Sequence, residues 1–252
     1  MKASASLGRM RSMSERLKER YFGGQIHPYQ VFERRIDSLL TQNTVLLDAG
    51  CGRSAPLITK FKGKAGRLIG VEVVNFTEQA KASGVELLNN DLSRIDLPSA
   101  SVDVVISRSV LEHIEDIEPV YREIHRILKP GGRFVFLVPN FWDYVSLLSW
   151  MVPNKFHSWI VNKLEGRAAH DVFPTYYHSN TRPAISRLAQ SSGFEMLSFD
   201  YVGQYPSMFM FNPALFLAGT AYEKLINRYR ALHFLKGWIL ADLRKSDNHP
   251  PR

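Results

Sequence analysis

Val45-Leu-Leu-Asp-Ala-Gly-Cys-Gly52 is the stretch that decides the fold. An apolar run ending in an acid and a glycine pair reads as a buried strand. It stops on Asp48 and turns through Gly50 and Gly52 into a helix. Such a turn lets backbone approach a ligand closely and points helix N–H groups at it. Further along, a second short apolar run, Leu68-Ile-Gly-Val71, ends on Glu72. In a doubly wound sheet an acid at that place accepts hydrogen bonds from ribose hydroxyls. The two runs together mark a nucleoside-containing cofactor.

Gly50-Cys-Gly-Arg-Ser-Ala55 satisfies the G-x-G-x-x-A fingerprint of dinucleotide sites, a pattern that is weak when it stands alone. Asp48 argues against a dinucleotide, because a carboxylate just before the loop repels a pyrophosphate. It suits a ligand that carries an ammonium and a sulfonium and no phosphate, which describes S-adenosylmethionine. Further motifs follow in order: Asn90-Asp91-Leu92, Val102-Asp-Val-Val-Ile-Ser-Arg-Ser-Val-Leu-Glu-His-Ile114, and Leu128-Lys-Pro-Gly-Gly-Arg-Phe-Val135. With them the segment from about 44 to 140 resembles the class I S-adenosylmethionine-dependent methyltransferases, in their small-molecule branch called methyltransferase type 11.

The resemblance implies a Rossmann-like, doubly wound sheet of seven strands, mostly parallel, with an antiparallel last strand. It implies S-adenosyl-L-methionine as cofactor and S-adenosyl-L-homocysteine as product. Asp48, Ala49, Gly50, Cys51 and Gly52 would hold the amino-acid end of the cofactor. Glu72 and Val73 would meet the ribose, Asp91 and Leu92 the adenine, and Ser107 would face the cofactor from the acceptor side. His113, within Leu111-Glu-His113, has a family counterpart near the active site. The chain has Ser107-Arg-Ser-Val110 where an Asn-Pro-Pro-Tyr element would stand, which argues against methylation of amide or adenine nitrogen.

The pattern along the chain agrees with an α/β sheet. Strands are expected at 45–48, 67–72, 85–89, 102–107, 132–138, 194–202 and 238–243, alternating with helical periodicity. Residues 28–40 read as an N-terminal helix with Pro28 in its first turn. Ile117, Val120, Ile124, Ile127 and Leu128 mark a helix stopped by Pro130-Gly131-Gly132, and another runs from Thr181 to Gly193. The chain divides into a helical arm at 1–43, a cofactor-binding core at 44–140, an acceptor-side insertion at 139–182 and a helical insertion at 206–235. The 139–182 segment is rich in large apolar side chains, among them Phe141, Trp142, Tyr144, Phe156 and Trp159. It is too long for an ordinary connection, and such insertions are usually functional. An aromatic lid suits a lipid, quinone or aromatic acceptor, although packing of these side chains on the body explains them as well.

For a base that takes the acceptor's proton, His113, His170, Tyr177 and His178 are the candidates, with His157, Asp171 and Tyr176 nearby. No recognised metal-ligand spacing joins the histidines. Cys51 is the single cysteine of the 252 residues, so no internal disulfide forms and a reducing, cytoplasmic setting is expected. No apolar core follows the basic amino terminus, as a leader would have, and no run is long enough to span a membrane. The net charge of +8 is concentrated in residues 1–35, where eight basic residues face three acids. Met10, Met13, Leu17 and Tyr21 form a narrow apolar stripe there. It reads as docking on the protein's own body, or alternatively as peripheral contact with an anionic membrane. Nothing resembles a nucleic-acid-binding module, so nucleic acid is disfavoured as a partner. The reading is a methyltransferase acting on a small-molecule or lipid-linked acceptor. An NAD-dependent oxidoreductase on a related sheet and a non-catalytic methyltransferase-like binding module are the alternatives.

Overall fold

The computed structural model describes residues 2–151 and 174–246. Its centre is a seven-stranded sheet in the order β3-β2-β1-β4-β5-β7-β6. The strands are β1 (Val45–Ala49), β2 (Arg67–Glu72), β3 (Glu86–Asn89), β4 (Val102–Arg108), β5 (Leu128–Pro139), β6 (Phe194–Val202) and β7 (Trp238–Lys245). β1 to β5 pair in parallel, and β7 lies antiparallel between β5 and β6. The antiparallel last strand therefore stands inside the sheet. Strand order reverses between β1 and β4, the switch point outside which open α/β sheets bind their ligands.

Alternation along the strands builds two cores. Leu47, Phe134, Phe136, Ile239 and Ala241 face one side. There they meet α4 (Ile117–Ile127) through Val120, Tyr121 and Ile124, and a later helix, α6 (Arg182–Ser191), through Ile185 and Leu188. Leu46, Ile106, Val135, Leu137 and Leu240 face the other side and meet Phe32 and Ile36 of α2 (Pro28–Asp37). α2 is started by a capping box: His27 Nδ1 accepts from Tyr29 N, and Gln30 Oε1 accepts from His27 N. α1 (Lys2–Phe22) precedes it. Between β6 and β7 runs α7 (Pro213–Arg228), against which α1 packs. Met10, Leu17 and Tyr21 are half-buried, but Met13 is exposed and drops out of the expected stripe.

Three local expectations need correction. No α-helix follows the glycine turn; residues 53–66 contain only a 3-10 turn, Ile58–Phe61, and a second short helix, α3 (Glu78–Lys81), follows β2. Pro56 disfavours helical backbone at Ala55, which sits at φ 47°, and buried Leu57, Ile58 and Phe61 dock the segment directly on the sheet. α4 ends at Ile127, ahead of Pro130, and β5 starts at Leu128 instead of 132. Leu128 is already extended and pairs with Val102, and the register then shifts to bring Arg133 opposite Val104. α2 stops at Asp37, short of residue 40. The remaining helix, α5 (Tyr144–Met151), follows β5. Among the described residues no helix is long and apolar enough to cross a membrane.

Candidate active site

The carboxyl edge of β1, β2 and β4 gathers the residues that the sequence singles out for a cofactor. Asp48 is buried, with Oδ2 lacking any hydrogen-bond partner. Burial raises its carboxyl to about 7; the charge of Arg108 opposes that rise and the charge of Glu72 adds to it. An orphaned, buried acceptor at a switch point is a place prepared for a cationic group.

The glycines differ in what they permit. Gly50 sits at φ 82°, and a Cβ there would stand 2.5 Å from Val110 Cγ2, so only glycine fits. Gly52 sits at φ 73° with nothing within 4 Å of where its Cβ would be, leaving one side of the loop open to a ligand. The N–H groups of Gly50 and Cys51 donate to the Val71 carbonyl at 2.9 and 3.1 Å, tying the loop to β2. Cys51 is buried beneath Gly70, whose Cβ would meet its Sγ at 2.8 Å, and burial drives the thiol far above its usual range. That excludes a thiolate nucleophile.

Glu72 closes the loop from the other side. Its Oε2 accepts from Gly52 N and its Oε1 from Val73 N, each at 2.9 Å. A carboxylate has about four acceptor positions, so two stay available to hydroxyl donors. Val73 is exposed beside it. Ser107 is buried and its hydroxyl donates to the Ala49 carbonyl at 2.9 Å, joining β4 to β1. Asp91 spends Oδ1 on Ser93, accepting from its N at 2.8 Å and its Oγ at 2.6 Å, which holds the carboxyl below its usual range. Leu92 turns inward to the core.

Arg108 was not among the residues chosen from the sequence, yet alternation could have found it. Asp48 pairs in register with Ile106, so Arg108, two residues on, projects from the same face of the sheet just beyond Asp48. Its guanidinium lies 4.3 Å from the centre of the Tyr29 ring and 3.4 Å from Glu33 Oε1. The start of α2 thus covers this corner, with Tyr29 packed edge-on against Trp238 at 5.4 Å.

On the acceptor side, His113 closes a 3-10 turn, Leu111–His113. Its Nδ1 is 2.8 Å from the Pro174 carbonyl, which can only accept, so the neutral ring carries its lone pair on Nε2. Burial holds the imidazole below its usual pKa. The carbonyl of Glu112 accepts from Tyr176 N at 2.8 Å and Tyr177 N at 3.3 Å, strapping residues 174–178 onto this turn. Tyr177 adopts φ 58° and lays its ring 5.7 Å from Phe141. His178 is exposed and stacks on Tyr176. Glu112, a residue the sequence reading passed over, is buried with Oε2 unpartnered, and burial raises it to about 7. His157, His170 and Asp171 lie outside the described residues.

The other half of the same edge holds a second buried polar group. Asp143 accepts from Val145 N at 3.1 Å at the start of α5, and its Oδ1 has no partner. Glu223 of α7 is buried with neither oxygen partnered. Burial, aided by Asp143, raises it to about 8. The Tyr144 hydroxyl is unpartnered beside them, its ring stacked on Phe209 at 5.7 Å.

Residues 47–136 match the family model described as a methyltransferase domain. A probable S-adenosylmethionine-dependent methyltransferase of Mycolicibacterium smegmatis is 37% identical over 100 residues, covering 38% of this chain and 38% of that one. A sterol 24-C-methyltransferase of Eremothecium gossypii is 29% identical over 170 residues, 63% of this chain and 42% of its own. The chain thus spans about two fifths of the length of these relatives. A solved S-adenosylmethionine-dependent methyltransferase from Mesorhizobium loti shares the fold at a TM-score of 0.57 and 18% identity, over 84% of this chain and 96% of that one. Fold, loop and these matches define a Rossmann-like methyltransferase domain. Residues 47–136 carry the pattern of a methyltransferase domain, and the chain is similar there to S-adenosylmethionine-dependent methyltransferases.

Proposed function

We propose that this protein transfers a methyl group from S-adenosylmethionine to a small-molecule or lipid-linked acceptor. The observation that carries the reading is the pair of opposite charges at the switch point. Asp48 offers an unpartnered acceptor and Arg108 a cation on the same face, the complement of an amino-acid head bearing ammonium and carboxylate. Gly52 leaves its side of the loop open to that head, Glu72 beside Val73 has acceptor positions left for the ribose hydroxyls, and Asp91 and Leu92 border the adenine. When bound, the cofactor supplies an electrophilic methyl on a good leaving group. The protein's task is then to hold the acceptor in line with it, and positioning of this kind supplies about 7–11 kcal/mol in favourable cases.

An oxygen or nitrogen acceptor loses a proton as it attacks. His113 is the base this arrangement favours: burial keeps it neutral at neutral pH, and its tautomer turns Nε2 into the proton acceptor. Tyr177, at the same turn, orients the acceptor, while His178 and His170 are the remaining candidates from the sequence. The aromatic character of residues 141–151 and the sterol methyltransferase among the relatives support an apolar acceptor. The lone, buried, unpaired cysteine supports a reducing compartment such as the cytoplasm.

Calorimetric titration with S-adenosylmethionine, S-adenosylhomocysteine and NADH, beside a Glu72→Ala variant, tests the reading. Micromolar binding of both adenosyl ligands, weakened at least tenfold in the variant, is the expected result. A folded protein that binds NADH and neither adenosyl ligand would overturn it.

A further inference from the structure

α7 buries Phe216, Gly219, Thr220, Glu223 and Ile226. Turned to the side is a second apolar row, Leu215, Ala218, Tyr222, Leu225 and Tyr229, spaced by three and four residues as one helical stripe. Three of its large members are open to solvent: Leu215 is 43% exposed, Leu225 50% and Tyr229 52%. Phe211, Leu217 and Phe234, on either side of it, are exposed as well. Of the exposed large apolar side chains among the described residues, half lie between 211 and 234. A cluster of that kind marks an interaction surface more than scattered exposure does.

The charges around it point to the partner. α1 packs alongside α7 and is pinned there by Lys224 over the Tyr21 ring at 4.4 Å, and by Phe22 against Phe216 at 6.2 Å. Exposed along α1 are Arg9, Met13, Arg16 and Arg20, again spaced by three and four residues, with Glu15 and Glu19 the only exposed acids of its described side chains. α7 and the turn after it add Lys224, Arg228 and Arg230, and the one acid of α7, Glu223, is buried. Leucines and tyrosines beside a row of arginines match the interfacial pattern, with an apolar face sunk into acyl chains and cations at the phosphates.

We infer that the paired α1–α7 face docks on an anionic lipid bilayer. The connection that carries α7 leaves β6 and enters β7 at the carboxyl edge of the sheet, the edge of the candidate active site, so docking brings that edge to the membrane. The inference goes beyond methyl transfer and needs no turnover to be tested.

The test is co-sedimentation of the full chain with vesicles of phosphatidylcholine alone, or of phosphatidylcholine with phosphatidylglycerol, in low and high salt. Two variant sets accompany it: Leu215→Glu with Leu225→Glu, and Arg9→Gln, Arg16→Gln and Arg20→Gln taken singly and together. Circular dichroism melting confirms that each is folded. Binding should require phosphatidylglycerol and fall steeply with salt. Each arginine removed should weaken partitioning about fivefold, and the double glutamate variant should abolish it. Absence of binding to anionic vesicles overturns the inference, as does binding that ignores both salt and the arginines. Concentration-dependent dimerisation without vesicle binding, lost in the double glutamate variant, overturns it in favour of a second copy of the chain.

Discussion

Two buried carboxyls stand at the same edge of one sheet, Asp48 in its β1–β4 half and Glu223 on the inner face of α7 in its β5–β7 half. Both have oxygens without partners, and burial raises both far above the ordinary carboxylate range, to about 7 and about 8. Their surroundings differ. Asp48 has an arginine on its own face, a glycine with open space beside it, and a neighbouring acid fastened to the loop. Glu223 has another raised acid, Asp143, and Tyr144, whose hydroxyl is also unpartnered. The first arrangement is shaped to receive a charged ligand; in the second, burial itself keeps the carboxyl protonated. A buried acid with a raised pKa is thus informative only together with the geometry around it.

The sharpest way to break this comparison is a methyl group placed in each half. Gly50→Ala forces Cβ into Val110 at a positive φ and should cut S-adenosylhomocysteine affinity more than 100-fold by calorimetry, the loop being displaced. Gly219→Ala, whose Cβ would meet Pro206 Cβ at 2.7 Å, should lower the melting temperature and leave that affinity within about twofold. Equal loss of affinity in both would erase the distinction between the halves.

Arg108→Gln should come next. Removing the cation is expected to weaken S-adenosylhomocysteine about tenfold, in line with loss of one charge-assisted hydrogen bond. Binding of 5′-methylthioadenosine, which lacks the amino-acid head, should stay unchanged in the same titrations. A parallel loss for both ligands would show that Arg108 serves the fold and not the head group.

Protonation separates the halves a third way. Asp48 must give up its proton to meet a cation, so cofactor affinity should rise with pH and level off above about 7, falling towards tenfold for each unit below it. A flat profile between pH 5 and 8 would remove Asp48 from the ammonium site.

The smallest effect is at Glu223. Its folded carboxyl holds a proton up to about pH 8, whereas the unfolded chain releases it near 4.5. The folded state therefore binds more protons across that window, and stability from this group is full below about 4.5 and lost as pH rises through about 8. Glu223→Gln should melt a few degrees above the wild type at pH 8.5, match it near pH 4.5, and leave cofactor affinity unchanged.

The strand positions and most of the β1–β4 half were legible in the sequence, because tight turns and buried parallel strands leave local marks. Gly50 must be glycine for reasons of φ and space, and an acid ending an apolar run has few places to go. Arg108 was legible in principle, through period-two alternation from Ile106, but its motif attracts attention to Ser107 and His113. Glu112 and Glu223 left no mark, since each is buried by elements distant in the chain: Glu112 at a turn overlaid by residues 174–178, Glu223 where α7 meets the region of Asp143. The missing helix after Gly52 shows the reverse failure. The pattern that promises a helix was there, but Pro56 and the burial of Ile58 and Phe61 outweighed it.

The position of β7 also sets an order of events during synthesis. β1 to β5 can pair as soon as they leave the ribosome, since each parallel neighbour is already made. β6 has no such neighbour: both its ladder and the open side of β5 wait for β7, the last strand in chain order. Until then β5 and β6 each present an unpaired, largely apolar edge, and the nascent chain is at its most vulnerable to aggregation after β6 is made and before β7 emerges.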